Sequence, residues 1–204
     1  MKDFTNIYIV LDESGSMYGL KEQTLEGLNT FIRQQKDLGD NADLTLVTFN
    51  NQIMTRINHM PIKEINLLGH NDYNPNYSTA LLDAIGETID KAKYHRDWSY
   101  FKDTPDKGIL VIITDGQENC STKFTRKAIF GKIAEVQKEL KWEVIFLAAN
   151  QDAIHEAAGF GIMADRAQNF SNTDIGVKAM YANLSKGTTS YRTTGSVEIG
   201  RAHV

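Results

Sequence analysis

Ile7-Tyr8-Ile9-Val10-Leu11-Asp12-Glu13-Ser14-Gly15-Ser16-Met17 joins an unbroken apolar run to a cluster of oxygen-bearing side chains. The run Ile7–Leu11 is long enough for one buried strand and too short for an ordinary helix. A helix-like pattern follows the cluster. Asp12, Ser14 and Ser16 alternate along the chain, so an extended turn points their oxygens the same way, with Gly15 relieving the crowding. One carboxylate with several hydroxyls suits a hard cation such as Mg²⁺, Mn²⁺ or Ca²⁺. Ser14 and Ser16 equally suit the N-cap of the helix that follows.

The rest of the chain predicts strands alternating with helices. Leu25, Leu28 and Ile32, with Phe31 beside them, form one helical stripe that ends near Leu38–Asn41. Leu44–Phe49 reads as a strand, Asn50-Asn51 as a tight hairpin turn, and Gln52–Asn58 as an antiparallel edge strand. Residues 61–78 are irregular, and long loops inside compact domains are often functional. A helix then starts at Ser78 or Thr79, carrying Leu82, Ile85 and Ile89 on one face. Asp97–Lys107 is a polar excursion. Gly108–Thr114 is the strongest buried-strand signal and stops at Asp115-Gly116-Gln117-Glu118-Asn119. Ile129, Ile133, Val136 and Leu140 mark the next helix, and Glu143–Ala149 the next strand, ending in Asn150-Gln151-Asp152. Ala153–Ala158 is a short helix, Ala167–Phe170 a short strand and Thr173–Leu184 a last helix. Residues 186–204, rich in Gly, Ser and Thr, read as a flexible tail after a domain of residues 1–185.

This alternation predicts an α/β fold, doubly wound around a mostly parallel sheet. Ligands of such sheets bind beyond the carboxyl ends of the strands, where strand order reverses. Two buried strands end in Asp12 and Asp115, and Thr79 opens a helix reached from the irregular loop. A helix cap explains one loop, but not two acids and a threonine gathered at one sheet edge. Two carboxylates about 4 Å apart repel by roughly 4 kcal/mol at an effective dielectric near 20, so a cation there stabilises the fold.

Bulk properties set the frame. A chain of 204 residues, 41% hydrophobic and 24% charged, suits one globular domain with a substantial core. The net charge of −4 provides no electrostatic footprint for nucleic acid. No stretch reaches the length of a membrane span, and Met1–Asn6 lacks a signal-peptide layout. One cysteine, Cys120, forms no internal disulfide and is compatible with a reducing compartment, so a cytoplasmic location is expected.

Several side chains near the cluster call for an assignment. Glu13 and Glu118 read as solvated acids flanking the site. Tyr73 and Tyr77, with His70 and Asp72 beside them, read as candidates to face a partner. The five histidines show no spacing typical of a zinc site. Cys120 reads as a small structural residue, and Lys123, Arg126, Lys127 and Lys132 as a solvated basic helix face. Asn150-Gln151-Asp152 borders the crevice.

The three elements Asp12-x-Ser14-x-Ser16, Thr79 and Asp115-Gly116 resemble, in order and spacing, the metal-ion-dependent adhesion site of von Willebrand factor A (VWA) domains. The strand–helix pattern agrees over residues 5–185. More narrowly, Leu82–Gly86, Thr114–Asn119 and Phe146–Ala153 resemble small stand-alone VWA proteins of bacteria and their phages, which are intracellular. The family's second loop commonly has a glycine just ahead of the threonine region; here it reads Asn74-Pro75-Asn76-Tyr77-Ser78-Thr79, which places Ser78 in competition with Thr79. The resemblance implies a six-stranded sheet of order 3-2-1-4-5-6 with one antiparallel edge strand and a divalent cation, Mg²⁺ or else Mn²⁺ or Ca²⁺, at its top. It assigns Ser14, Ser16 and Thr79 as hydroxyl ligands, and Asp12 and Asp115 as direct or water-mediated ones. It also implies a protein partner that supplies an Asp or Glu carboxylate to the metal, no catalytic residue, and a last helix that commonly moves. The alternative is a metal-dependent phosphoryl-transfer or hydrolytic enzyme. Against it, Ser14 stands where haloacid-dehalogenase-type phosphatases have their second Asp, and no phosphate loop or nucleophile elbow is present.

Overall fold

The computed structural model describes residues 4–98, 107–149 and 153–197. Most of the polar excursion, Asn150-Gln151-Asp152, and residues 198–204 lie outside them. Six strands form one sheet in the order β3-β2-β1-β4-β5-β6. They are β1 (Thr5–Asp12), β2 (Ala42–Phe49), β3 (Ile53–Pro61), β4 (Lys107–Thr114), β5 (Glu143–Ala149) and β6 (Ala167–Phe170). Every neighbouring pair is parallel except β2–β3, which is antiparallel as the hairpin predicts. Asn50 closes that hairpin: its side-chain oxygen accepts from the Gln52 amide at 2.8 Å.

The period-2 rule sorts the central strands cleanly. Ile7, Ile9, Leu11, Val111 and Ile113 face one layer, made by α1 (Lys21–Asp37) and α5 (Asp174–Thr194). Tyr8, Val10, Leu110 and Ile112 face the other, made by α2 (Leu81–Trp98), α3 (Arg126–Lys138) and α4 (Ala153–Gly159). Both faces being covered, the strands read as continuous apolar runs. The predicted stripes on α1 and α2 are buried, Phe31 included. Helix α3 stops before Leu140, which is only partly buried, and the chain turns there through a left-handed Lys141 (φ 57°). The segment 61–78 holds two short 3₁₀ turns, Ile62–Glu64 and His70–Asp72.

The structure corrects the C-terminal boundary. The last helix does not stop at Leu184 but runs to Thr194, where Gly195 ends it in the left-handed conformation (φ 82°). Residues 186–194, read as tail, therefore belong to the packed helix, with Gly187, Thr188, Tyr191 and Arg192 buried. Arg192 reaches α1, donating to the Gln35 carbonyl (2.6 Å), to Gln35 Oε1 (3.2 Å) and to the Gly39 carbonyl (3.1 Å). Tyr181 fills the space over Gly27, where an added Cβ would lie 2.2 Å from its ring. Helices α1 and α5 thus meet at van der Waals distance. No helix among the described residues is long and apolar enough to cross a membrane.

Candidate metal centre

Strands β1 and β4 are neighbours in the middle of the sheet, and their parallel register brings Asp12 and Asp115 to the same edge. Asp12 is the last residue of β1 and fully buried. Its Oδ1 accepts from the Ser14 amide at 2.7 Å, which holds the loop in an extended course. Ser14 precedes a 3₁₀ turn, Gly15–Leu20, yet its side chain makes no capping hydrogen bond. Its Oγ lies 3.1 Å from Ser16 Oγ instead, and Ser16 Oγ donates to Asp115 Oδ1 at 2.5 Å. The hydroxyls face the acids rather than the helix.

Thr79 arrives from the opposite side. It is buried while Ser78 is only half-buried. A Cβ placed on Gly116 would sit 2.9 Å from Thr79 Oγ1 and 3.4 Å from both Asp12 Oδ2 and Ser14 Oγ. Three oxygens from two loops therefore surround one small volume that a side chain at 116, on the third loop, would invade. All five residues expected from the sequence are brought together, and of Ser78 and Thr79 it is Thr79 that reaches them. The Gly116→Ala variant should keep its fold with the oxygen cluster displaced. The expected result is a Mg²⁺-dependent rise in melting temperature much smaller than in wild type, read by thermal unfolding with and without EDTA.

A second ring holds these oxygens in place, and sequence reading missed most of it. Thr114 donates from Oγ1 to Asp12 Oδ2 at 2.5 Å and accepts from the Gly116 amide at 3.1 Å. Tyr73, expected at the surface, is buried, and its hydroxyl donates to the Asp12 carbonyl at 2.5 Å. Asn119 locks the second and third loops: its Oδ1 accepts from the Thr79 amide (2.9 Å) and its own amide donates to the Thr79 carbonyl (3.1 Å). Glu118 accepts from the Leu82 amide at the N-terminus of α2 (2.9 Å) and from the Cys120 and Ser121 amides (3.0 and 2.7 Å). Asp83, the third residue of the same helix, accepts from the amides of Thr122, Lys123 and Phe124.

Glu13 is likewise not a solvated acid. It is buried, pairs with Arg56 of β3 at 2.9 Å and accepts from the Asn74 amide. Arg56 also donates to Thr48 Oγ1 at 2.9 Å. Alternation explains this: with Asp12 and Ser14 turned toward the site, Glu13 faces the other way and needs a cation there. The local hint is the β2–β3 hairpin, which brings the Arg56 side chain to Thr48.

Burial decides the electrostatics. Desolvation pushes the Asp12 carboxyl up to about 6 despite the hydrogen bonds from Thr114 and Ser14, and the nearby Asp115 adds to the rise. Desolvation raises Asp115 too, against its bond from Ser16. Asp115 Oδ2 is buried with no hydrogen-bond partner among the described residues. Two acids held where ionisation is costly, one with an unused oxygen, form a site short of positive charge. The donor set fits a hard divalent cation, and the hydroxyls carry most of it. Among the described residues, no three His, Cys, Asp or Glu side chains group as a metal cluster.

The pH dependence follows with a definite sign. Asp12 binds its proton more tightly in the folded than in the unfolded chain. Without metal, its contribution to stability is therefore greatest below the ordinary carboxylate value of 3.8 and is lost as pH rises through about 6. In EDTA, the melting temperature of wild type relative to Asp12→Asn should fall across that window. With Mg²⁺ added, the gain should shrink on acidification below about 6, because proton and cation compete for the same carboxylate.

The remaining sequence candidates sort as follows. Tyr77 is exposed, as expected, and its carbonyl accepts from the Gly15 amide at 3.0 Å. His70 pairs with Glu22 at 2.9 Å, and Asp72 accepts from the Gly69 amide. His59 and His95 stack at 5.1 Å, with His59 Nε2 3.2 Å from Asp43. Cys120 is half-buried in the third loop. On the basic face, Lys123, Arg126 and Lys132 pair with Glu87, Glu156 and Asp90.

Solved structures with the same architecture are numerous. The PilB minor pilin of Streptococcus sanguinis superposes with a TM-score of 0.67 at 12% identity, covering 97% of this chain and 64% of that one. Proximal thread matrix protein 1 of the mussel byssus, in a form with a zinc-occupied MIDAS motif, gives 0.61 at 10%, covering 90% and 45%. A von Willebrand factor type A protein from Catenulispora acidiphila gives 0.58 at 13%, covering 93% and 43%. Identities this low establish likeness of fold, and the chain spans less than two thirds of the length of each. No curated protein sequence matches the chain. The profile of the von Willebrand factor type A domain matches residues 6–183, which include all five candidate residues and, Thr5 apart, all six strands. The chain belongs to the von Willebrand factor type A domain family.

Proposed function

We propose that the protein is a metal-dependent binding module rather than an enzyme. In this reading Asp12, Ser14, Ser16, Thr79 and Asp115 hold one divalent cation, Mg²⁺ or in its place Mn²⁺ or Ca²⁺. The observation that carries it is the makeup of the cluster: three hydroxyls and two costly carboxylates linked through the volume at Gly116 and the Ser14–Ser16–Asp115 chain, with Asp115 Oδ2 unused. A cation bound there supplies an electrophilic position, open to a carboxylate oxygen from an Asp or Glu of a partner protein. The zinc-occupied MIDAS of the mussel protein supports metal binding at this place in the fold. A cytoplasmic setting, suited to the single cysteine, belongs to the same reading.

The chain's own residues do the positioning. Thr114 and Ser14 orient Asp12, Ser16 orients Asp115, and Asn119 ties Thr79 to the third loop. An affinity capture in Mg²⁺ and in EDTA, with Asp12→Ala as control, tests the module. A partner held by wild type in Mg²⁺ and released in both other conditions is the expected result. Turnover of p-nitrophenyl phosphate by wild type that disappears in Asp12→Ala would favour the enzyme instead.

A further inference from the structure

Thr79 is held from two sides. Its own amide and carbonyl bond to Asn119 of the third loop. The residues around it are held by the β2–β3 hairpin. The Asn50 carbonyl accepts from the Ala80 amide (2.8 Å), and the Asn50 side-chain amide donates to Asn76 Oδ1 (2.7 Å). Further back along the second loop, Glu13 takes over. Its carboxylate accepts from the Asn74 amide, and its carbonyl accepts from the Asn76 amide (2.9 Å). A residue that stands between Asp12 and Ser14 thus fixes the segment that delivers Thr79.

What fixes Glu13 is Arg56. Glu13 is 3% exposed, and Arg56 Nη2 donates to both of its carboxylate oxygens, at 3.0 and 2.9 Å. Arg56 Nε donates at the same time to Thr48 Oγ1 (2.9 Å), so β2 orients the guanidinium. Glu13 Oε1 serves Arg56 and the Asn74 amide together, which passes a shift of the guanidinium on to the second loop. That loop is under strain. The backbone at Tyr77 is left-handed (φ 62°), a conformation that a bulky side chain keeps only where its surroundings impose it. Here the Gly15 amide, donating to the Tyr77 carbonyl (3.0 Å), and the Glu13 contacts just before it impose it.

We infer that Arg56 is a positioning residue of the metal centre: through Glu13 it sets the second loop against residues 12–16, and so fixes where Thr79 stands relative to Asp12 and Ser14. This rests on the metal-dependent reading above. None of the hydrogen bonds of Arg56 goes to a candidate ligand, so it acts at one remove. Side chains that orient metal ligands in this way change metal affinity by roughly ten- to a hundredfold when they are replaced. Lysine is no substitute, because it lacks the planar guanidinium that meets Thr48 and Glu13 together.

The test measures Mg²⁺ affinity by isothermal titration calorimetry on the full chain. It compares wild type with Arg56→Lys and with the double variant Glu13→Gln/Arg56→Gln. The double variant keeps an acceptor for the Asn74 amide and strands no buried charge, so it folds even where loss of one partner alone is too costly. Melting in EDTA verifies folding. Both variants should bind Mg²⁺ roughly tenfold more weakly than wild type. In EDTA, the amide NMR signals of Gly15, Asn76 and Ala80 should shift in Arg56→Lys, while those of β5 stay in place. Unchanged Mg²⁺ affinity in both variants, with only the melting temperature lowered, makes the pair merely structural and overturns the inference. Tighter binding or unmoved amide signals overturn it as well. Each of these outcomes leaves the metal reading standing, because wild type still binds Mg²⁺. A wild type indifferent to Mg²⁺ overturns both.

Discussion

Asp12→Ala is expected to abolish the rise in melting temperature that Mg²⁺ gives the wild-type protein. A cation that binds only the folded chain stabilises it by about 2.7 kcal/mol at a hundred times its dissociation constant. For a domain of this size that corresponds to roughly 5–10 °C. The conservative substitution Asp12→Asn has a second, opposite signature in EDTA. Burial holds the wild-type Asp12 carboxyl up at about 6, so its ionised form weighs against the fold at neutral pH. Asp12→Asn, which keeps an acceptor for the Ser14 amide, should therefore melt no lower than wild type without metal and clearly lower with it. Crossed curves of this kind separate a site built for a cation from an acid that merely supports the loop. A Mg²⁺ response unchanged by either substitution removes Asp12 from the site.

The second large effect is expected at Asp83, which is not one of the five candidate ligands. Its carboxylate is nearly inaccessible at 5% exposure and accepts from three consecutive amides, Thr122, Lys123 and Phe124, at 2.8–2.9 Å. Asp83→Ala strands all three donors, and each unsatisfied buried amide costs about 1–3 kcal/mol. Partial access to water reduces the sum, leaving about 3 kcal/mol, or roughly 6–12 °C in melting temperature. Asp83→Asn keeps one oxygen and should lose about half as much. Urea denaturation gives the measurement, and a change within about 0.5 kcal/mol for Asp83→Ala would show that water replaces the carboxylate without penalty. Because the same carboxylate pins the stretch after Asp115 to α2, the loss should also weaken Mg²⁺ binding.

The contrast between Asp12 and Asp83 shows what the sequence discloses and what it withholds. Asp12, Ser14, Ser16 and Asp115 were legible because each stands where a buried apolar run stops, and a parallel sheet carries such ends to one edge. Thr79 was legible as the start of a helix, although the assigned helix begins two residues later, at Leu81. The supporting residues were not legible, since their meaning lies in distant pairings. Thr114 and Tyr73 meet Asp12 from 102 and 61 residues away. Tyr73 and Tyr77 look alike in sequence, and only the packing of the second loop buries one and exposes the other. Glu13 looked solvent-facing because a charged residue beside a loop usually is. The sign of its environment depends on Arg56, which an antiparallel neighbour brings across the sheet.

The C-terminal boundary failed for a different reason. The apolar stripe of α5 ends at Leu184, but its buried face continues through Gly187, Thr188, Tyr191 and Arg192. Small and polar residues let this turn approach α1 closely, and hydrophobic periodicity does not register them.

Arg192 gives that turn a mechanical meaning. Its guanidinium grips the carbonyls of Gln35 and Gly39, the last turn of α1 and the bend that follows it, within three residues of the helix end at Thr194. A load applied there is shared between this clasp and the core packing of Tyr191 and Val197. Pulling at this end of α5 is thus passed in part to α1, the helix that follows the Asp12–Ser16 loop.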